Sequence, residues 1–343
     1  MDDITLDQYS IHHINVDGNL ITKPQGTDSS GLETFSHEIL EGVFTSNRGK
    51  AFTFDPSTEE VSNLVRDMLN GGWDTSSEMI ANRLLRAEKS RQEEMAGFQQ
   101  VKKGSLLQLK LNSTNDKFII FTKVDHGKYM DEVDSLIHTG LPFEKRVQKT
   151  CVFKFTGSST TPESINIFDS NNTISKYWRH DFLCCQEVNT SEDNTKVAFN
   201  AIDNILSRNV LPKSKPDYTY LRNSVITYFR SNESMEFDNF VEEIIRNYPV
   251  IDSSVDIEDI AKKIEALPQR KGFDTQFEIH SKVISARIKR VVVLADNFEL
   301  NIKGEVQDLN TLVDTGSDGK GKFLKIYSDQ GHDEFNRIKR DGQ

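Results

Sequence analysis

Two pairs of short strand-forming runs, each closed by turn residues, constrain this chain more than any other feature. Leu106-Leu107-Gln108-Leu109-Lys110-Leu111 and Phe118-Ile119-Ile120-Phe121 are joined through residues 112–116. Cys151-Val152-Phe153-Lys154-Phe155 and Ile165-Asn166-Ile167-Phe168 are joined across 157–162, which hold a Gly and a Pro. Runs of this length, rich in aromatic and β-branched residues and linked by short polar turns, pair as antiparallel neighbours. They predict a sheet at the centre of a first domain.

Helical periodicity surrounds these runs. Leu32, Phe35, Ile39, Leu40 and Val43 recur at helical spacing, and further helices are expected over 57–69, stopped by Asn70-Gly71-Gly72, and over 77–99. The strands 4–16 and 20–23 flank an Asp17-Gly18 turn. Helices are expected over 195–207, 218–229, 237–248 and 257–267, then strands over 277–283, 291–294, 298–302 and 323–327. Asp296-Asn297 reads as a hairpin turn, and 333–340 as a last helix. The fold class is α+β. Residues 211–216, with two prolines and no periodicity, suggest a boundary between a domain over 1–212 and a second over 213–343 that is helical and then β-rich.

At 343 residues the chain has room for two or three cores. Its first residues, MDDITLDQYS, lack a basic stretch followed by an apolar one, and no segment has the uninterrupted apolar length of a membrane span. The three cysteines, Cys151, Cys184 and Cys185, form no framework spacing and fit a reducing cytoplasm.

Charge is unevenly distributed. The net charge is −11, yet residues from 269 onward hold 13 Lys and Arg against 12 Asp and Glu, leaving 29 against 41 in residues 1–268. A polyanion is held by a local patch, not by the total. The C-terminal cations Arg287, Lys289, Arg290, Lys320, Lys322, Arg337, Lys339 and Arg340 are the candidate patch, and an ordinary solvated face is the competing explanation. In an extended segment Arg287 and Lys289 share one face and Ile288 and Arg290 the other. Arg337, Lys339 and Arg340 also suit the last turn of a helix, whose dipole they complement.

Other constellations carry less chemistry. The run from Gly316 to Lys322 lacks phosphate-loop spacing and precedes a strand, so a hairpin turn is expected there. His180, Asp181, Cys184 and Cys185 have no second pair at zinc spacing, and buried core cysteines are the simpler reading. His12 and His13 face opposite sides of a strand. Asp125-His126 and Asp131-Glu132, with Lys123, are read as polar loop before nuclease site. Trp73 and Trp178 stand among apolar residues and are expected in the core. No catalytic residue, metal or cofactor is assigned.

Several strings resemble the bacterial nucleoid-associated protein family of the YejK/NdpA kind: GSLLQLKL, GLPFEKRVQKTCVFKF, YWRHDFLCCQEV with KVAFNAI, and the block from GFDTQFEIHSKV through LNIKGEV to KFLKIYSD. The resemblance spans nearly the whole chain. It implies association with the bacterial nucleoid and double-stranded DNA, and it assigns no catalytic residues. The expectation is a homodimer, held by any surplus apolar face on helices 237–248 and 257–267, that binds duplex DNA weakly and without sequence preference. Two alternatives are a protein-interaction or regulatory component, as in a phage-defence or mobile-element system, and a metal-dependent nuclease.

Overall fold

The computed structural model of the protein describes residues 4–24, 30–45, 49–95, 101–130, 135–142, 148–171, 173–304, 306 and 309–335. The chain forms two compact units. The first comprises 1–198, 234–240 and 268–279, and the second 199–233, 241–267 and 280–343.

The first unit is built on strands β1 (Thr5–Asn15), β2 (Leu20–Thr22), β3 (Lys50–Phe54), β4 (Gly104–Asn112), β5 (Asp116–Asp125), β8 (Gln148–Thr156), β9 (Ser164–Asp169) and β10 (Cys185–Glu187). A separate hairpin pairs β6 (Gly127–Met130) with β7 (Ile137–Gly140). The eight form one antiparallel sheet in the order β10-β3-β9-β8-β5-β4-β1-β2. The four strands expected from sequence are adjacent at its centre. Their apolar runs are nearly continuous because the sheet is covered on both faces. Ile119 and Phe121 enter a core with Val61, Leu64, Ile80 and Leu84 of helices α2 (Glu60–Leu69) and α3 (Trp73–Glu94). Phe118 and Ile120 enter the opposite core with Phe35, Ile39 and Leu40 of α1 (Ser30–Thr45).

One row across this sheet is charged. Lys123 of β5 lies opposite Lys149 of β8, which lies opposite Asp169 of β9. Lys149 Nζ is 2.6 Å from Asp169 Oδ2, and Lys123 Nζ is 2.7 Å from Glu88 Oε1 of α3 and 3.0 Å from Asp125 Oδ1. Buried charges survive only when paired in this way. Lys123 and Asp125 thus belong to a strand, not to the expected polar loop; the apolar neighbours of Lys123 extend the strand through it. Asp131 and Glu132 lie outside the described residues.

The second unit packs the end of α4 (Ser191–Asn209), α5 (Lys215–Ser231), a π-helical turn (Val241–Arg246) and the helix Ile257–Glu265. Phe199 and Phe229 meet edge to face with centroids 5.3 Å apart, beside buried Leu221, Val225, Ile245 and Ile260. Residues 211–216 join α4 to α5 inside this unit. Ser214 caps α5 by accepting from Asp217 N at 3.2 Å, and Pro216 sits in the first turn, where its missing N–H costs nothing.

The strand expected over 277–283 is cut short. Only Gln276–Glu278 is extended, paired with Ser234–Glu236, and a 3₁₀ turn (Ser281–Ile284) and a short helix (Ser285–Ile288) follow. Ile284 and Ile288 are both buried, and their four-residue spacing is helical. Arg222 secures this ending: its guanidinium pairs with Asp203 Oδ1 at 2.6 Å and donates to the Arg287 carbonyl at 2.7 Å. Two hairpins complete the described chain. The first joins Arg290–Ala295 to Phe298–Ile302 across Asp296-Asn297, and the second joins Val313–Asp318 to Gly321–Ile326. A short helix, Asp329–Phe335, ends it, starting four residues before the expected one.

Candidate nucleic-acid interface

The C-terminal cations fall into two groups. Arg287, Lys289 and Arg290 stand at the base of the first hairpin, but not as an alternating extended segment. Arg287 closes the short helix, Lys289 is extended, and Arg290 opens the strand. The face-sharing expected from sequence therefore does not hold. Arg287 and Lys289 are exposed, whereas Arg290 is half-buried. Arg290 Nη1 donates to Thr219 Oγ1 at 2.7 Å, and its guanidinium carbon lies 5.1 Å from the centre of the Tyr218 ring. Burial lowers its pKa from the usual guanidinium value. Arg290 is thus an anchor of the hairpin as much as a surface charge.

Lys320 and Lys322 form the second group. Ser317 pairs with Lys322 and Asp318 with Gly321, so the glycine-rich run is a tight hairpin turn, as expected from its spacing. Lys320 N donates to Asp318 Oδ1 at 2.8 Å, while both lysine side chains are exposed. The side chains of Arg287, Lys289, Lys320 and Lys322 make no ion pair with a described residue. Arg246, by contrast, contacts Glu242, Glu258 and Glu265 at 3.3, 3.1 and 2.8 Å. Arg337, Lys339 and Arg340 lie outside the described residues.

The remaining candidates occupy other places. Cys151, Cys184 and Cys185 are buried. Burial pushes the Cys185 thiol up to about 12 and Cys151 well above its ordinary value. Cys184 is also raised by burial, against the pull of Arg83, whose Nη2 is 2.8 Å from its sulfur. A thiolate is disfavoured at all three. His180 is exposed and pairs with Asp181 at 2.8 Å. Trp73 and Trp178 are in the core, so neither offers a face to a base. His12 is buried beside Gln108, and His13 faces the other way, 2.7 Å from Ser105 Oγ. His126 Nε2 approaches the same hydroxyl at 2.8 Å. Among the described residues no three His, Cys, Asp or Glu side chains converge into a metal-holding group.

Two features were missed in the sequence. The charged row of Lys123, Lys149, Glu88 and Asp169 had a signal, in lysines placed inside otherwise apolar strands. The exposure of the first hairpin had none, because its Val-rich strand has the composition of a buried one.

A family model described as nucleoid-associated protein YejK matches residues 10–333. No curated protein matches the chain.

Proposed function

Because the chain belongs to the YejK family of nucleoid-associated proteins, which its match over residues 10–333 shows, we propose that it binds duplex DNA weakly and without sequence preference through its exposed C-terminal cations. The observation that carries this reading is that Arg287, Lys289, Lys320 and Lys322 are exposed and free of carboxylate partners among the described residues. A cation already paired must break that pair to reach a phosphate, whereas these four need not. Lysine ammonium groups act as point charges, which suits phosphate contact over bidentate base readout. The acidic remainder, with 29 basic against 41 acidic residues over 1–268, repels DNA and confines contact to this patch. The site of action in this reading is the bacterial nucleoid, in the cytoplasm. No helix among the described residues is long and apolar enough to cross a membrane.

The test is fluorescence anisotropy of labelled duplexes at several salt concentrations, comparing the wild type with Arg287→Glu/Lys320→Glu/Lys322→Glu. The expected result is a loss of affinity that is uniform across DNA sequences, with the slope of log K against log salt flattened by about 0.9 per phosphate contact removed. Unchanged binding would overturn the site.

A protein-interaction role has one observation in its favour, the apolar surface of the first hairpin. The helices named as a dimer interface do not supply such a surface. Val241, Ile245, Ile260, Ala261 and Ile264 are all buried within the second unit.

A further inference from the structure

The cations at the base of the first hairpin have neighbours that their place in the sequence conceals. Arg290 Nη1 donates to Thr219 Oγ1 at 2.7 Å, and Arg222 donates to the Arg287 and Ile288 carbonyls at 2.7 and 3.4 Å. Residues 287–290 therefore lie along α5, over the turn from Thr219 to Arg222. Lys215, Thr219 and Arg222 recur at i, i+4 and i+7, so they share one stripe of that helix. Lys215 stands one turn, about 6 Å of helix axis, before the threonine that holds Arg290. The same Thr219 hydroxyl donates to the Lys215 carbonyl at 2.7 Å. Lys213 comes just ahead, in a turn closed by the Lys213 and Ser214 amides, which donate to the Val210 carbonyl at 3.0 and 2.9 Å.

Charge identifies the partner of this surface. Lys213, Lys215, Arg287 and Lys289 are exposed, and none makes an ion pair with a described residue. Residues 210–216 contain two lysines and no Asp or Glu, and residues 279–295 contain four cations and no Asp or Glu. The carboxylates of Asp203 and Asp217, on α4 and α5, are both taken. Asp203 pairs with Arg222 at 2.6 Å, and Asp217 is buried and accepts from Tyr248 Oη and the Ile251 and Asp252 amides. The surface is thus cationic with nothing inside it to neutralise it, and it suits an anionic partner. Its cations are strung along α5 from Lys215 to the level of Arg222, on the order of 10 Å, and do not converge on one point. That spread fits a row of phosphates, since a duplex carries a charge about every 1.7 Å of its axis, better than one small anion.

We infer that the start of α5 is a further strip of the DNA-binding surface, in which Lys213 and Lys215 meet backbone phosphates beside Arg287 and Lys289. The inference rests on the duplex-binding reading above and extends it to two residues from the part of the sequence that is acidic in sum. By number these lysines lie more than 70 positions before Arg287. The contacts of Thr219 and Arg222 bring them to the same face.

The test is fluorescence anisotropy of a labelled duplex between about 50 and 200 mM salt, comparing wild type with Lys213→Ala/Lys215→Ala and with Lys262→Ala/Lys263→Ala. Both variants lose the same charge, but Lys262 and Lys263 already face Glu258 and Asp259 at 3.9 and 2.6 Å. Lys213→Ala/Lys215→Ala is expected to flatten the slope of log K against log salt by about 2, at about 0.9 per contact. Its circular dichroism melt is expected to match wild type, because both side chains are exposed. Lys262→Ala/Lys263→Ala is expected to keep the wild-type slope. A wild-type slope in Lys213→Ala/Lys215→Ala, beside lost binding in Arg287→Glu/Lys320→Glu/Lys322→Glu, would overturn the inference and leave the C-terminal reading standing. Equal losses in the two lysine pairs would also overturn it, since net charge alone would then set affinity. A wild type that binds no duplex would overturn both.

Discussion

His12 is fully buried in β1 beside Gln108, and burial, aided by Lys23 and His13, lowers its pKa from 6.5 to about 4. The unfolded chain therefore binds a proton in a pH window where the folded chain does not. Stability from this site is fully present above pH 6.5 and is lost as pH falls toward 4, by roughly 2 to 3 kcal/mol in all. His13 and His126, which share the Ser105 hydroxyl, are lowered by burial in the same direction. Melting temperatures measured from pH 7.5 to 4 are expected to fall, and His12→Gln to flatten that decline. The Lys123–Glu88 pair poses a different residue problem. Burial alone would lower the Lys123 pKa, but Glu88, together with Tyr177 and Asp125, outweighs it and holds the ammonium charged. Lys123→Met leaves Glu88 buried and unpaired and is expected to cost on the order of 3 kcal/mol in urea unfolding, with Glu88→Leu added in the same chain recovering most of the loss. The opposed orientation of His12 and His13 was legible because strand alternation is geometric. The role of Lys123 was not, because its partner Glu88 is 35 residues away in sequence.

At the level of elements, the segment 211–216 shows how composition misleads. Two prolines suggested a linker, yet one of them is the helix-starting signal of α5. Asp217, at the start of that helix, accepts from Tyr248 Oη at 3.0 Å, Ile251 N at 2.8 Å and Asp252 N at 3.0 Å. Burial would raise its pKa, but Ser214 and these donors together outweigh it and hold it below the usual carboxylate value. Ser214→Ala is expected to cost about 1 kcal/mol, the worth of one cap. Asp217→Ala removes the acceptor for three donors and is expected to cost about 3 kcal/mol or more. Chemical denaturation of the two variants should keep that order, and equal losses would mean that Asp217 acts only through the cap. The second hairpin has its own device. A side chain at Gly316 would meet the Phe323 ring at 2.5 Å, so the glycine is the seat on which the ring lies. The turn was legible from its glycines. The pairing of Gly316 with Phe323 was not, because it depends on register.

On the scale of the whole molecule, pattern reached the antiparallel sheet and the helices that cover it. It could not reach the interleaving of the two units, since the returns at 234–240 and 268–279 are set by pairing between Ser234–Glu236 and Gln276–Glu278. Contacts distant in sequence leave no periodic trace. The same limit hid which of the C-terminal cations are exposed and which, like Arg290, are half-buried. In the reading proposed above, affinity for DNA rests on how many unpaired cations reach a phosphate. Four contacts, by Arg287, Lys289, Lys320 and Lys322, contribute about −4 to the slope of log K against log salt, and loss of the two in the second hairpin leaves about −2 of that. Binding measured between about 50 and 200 mM salt is therefore expected to show the steeper slope for wild type and the shallower one for Lys320→Ala/Lys322→Ala. Equal slopes would mean that the second hairpin does not meet DNA.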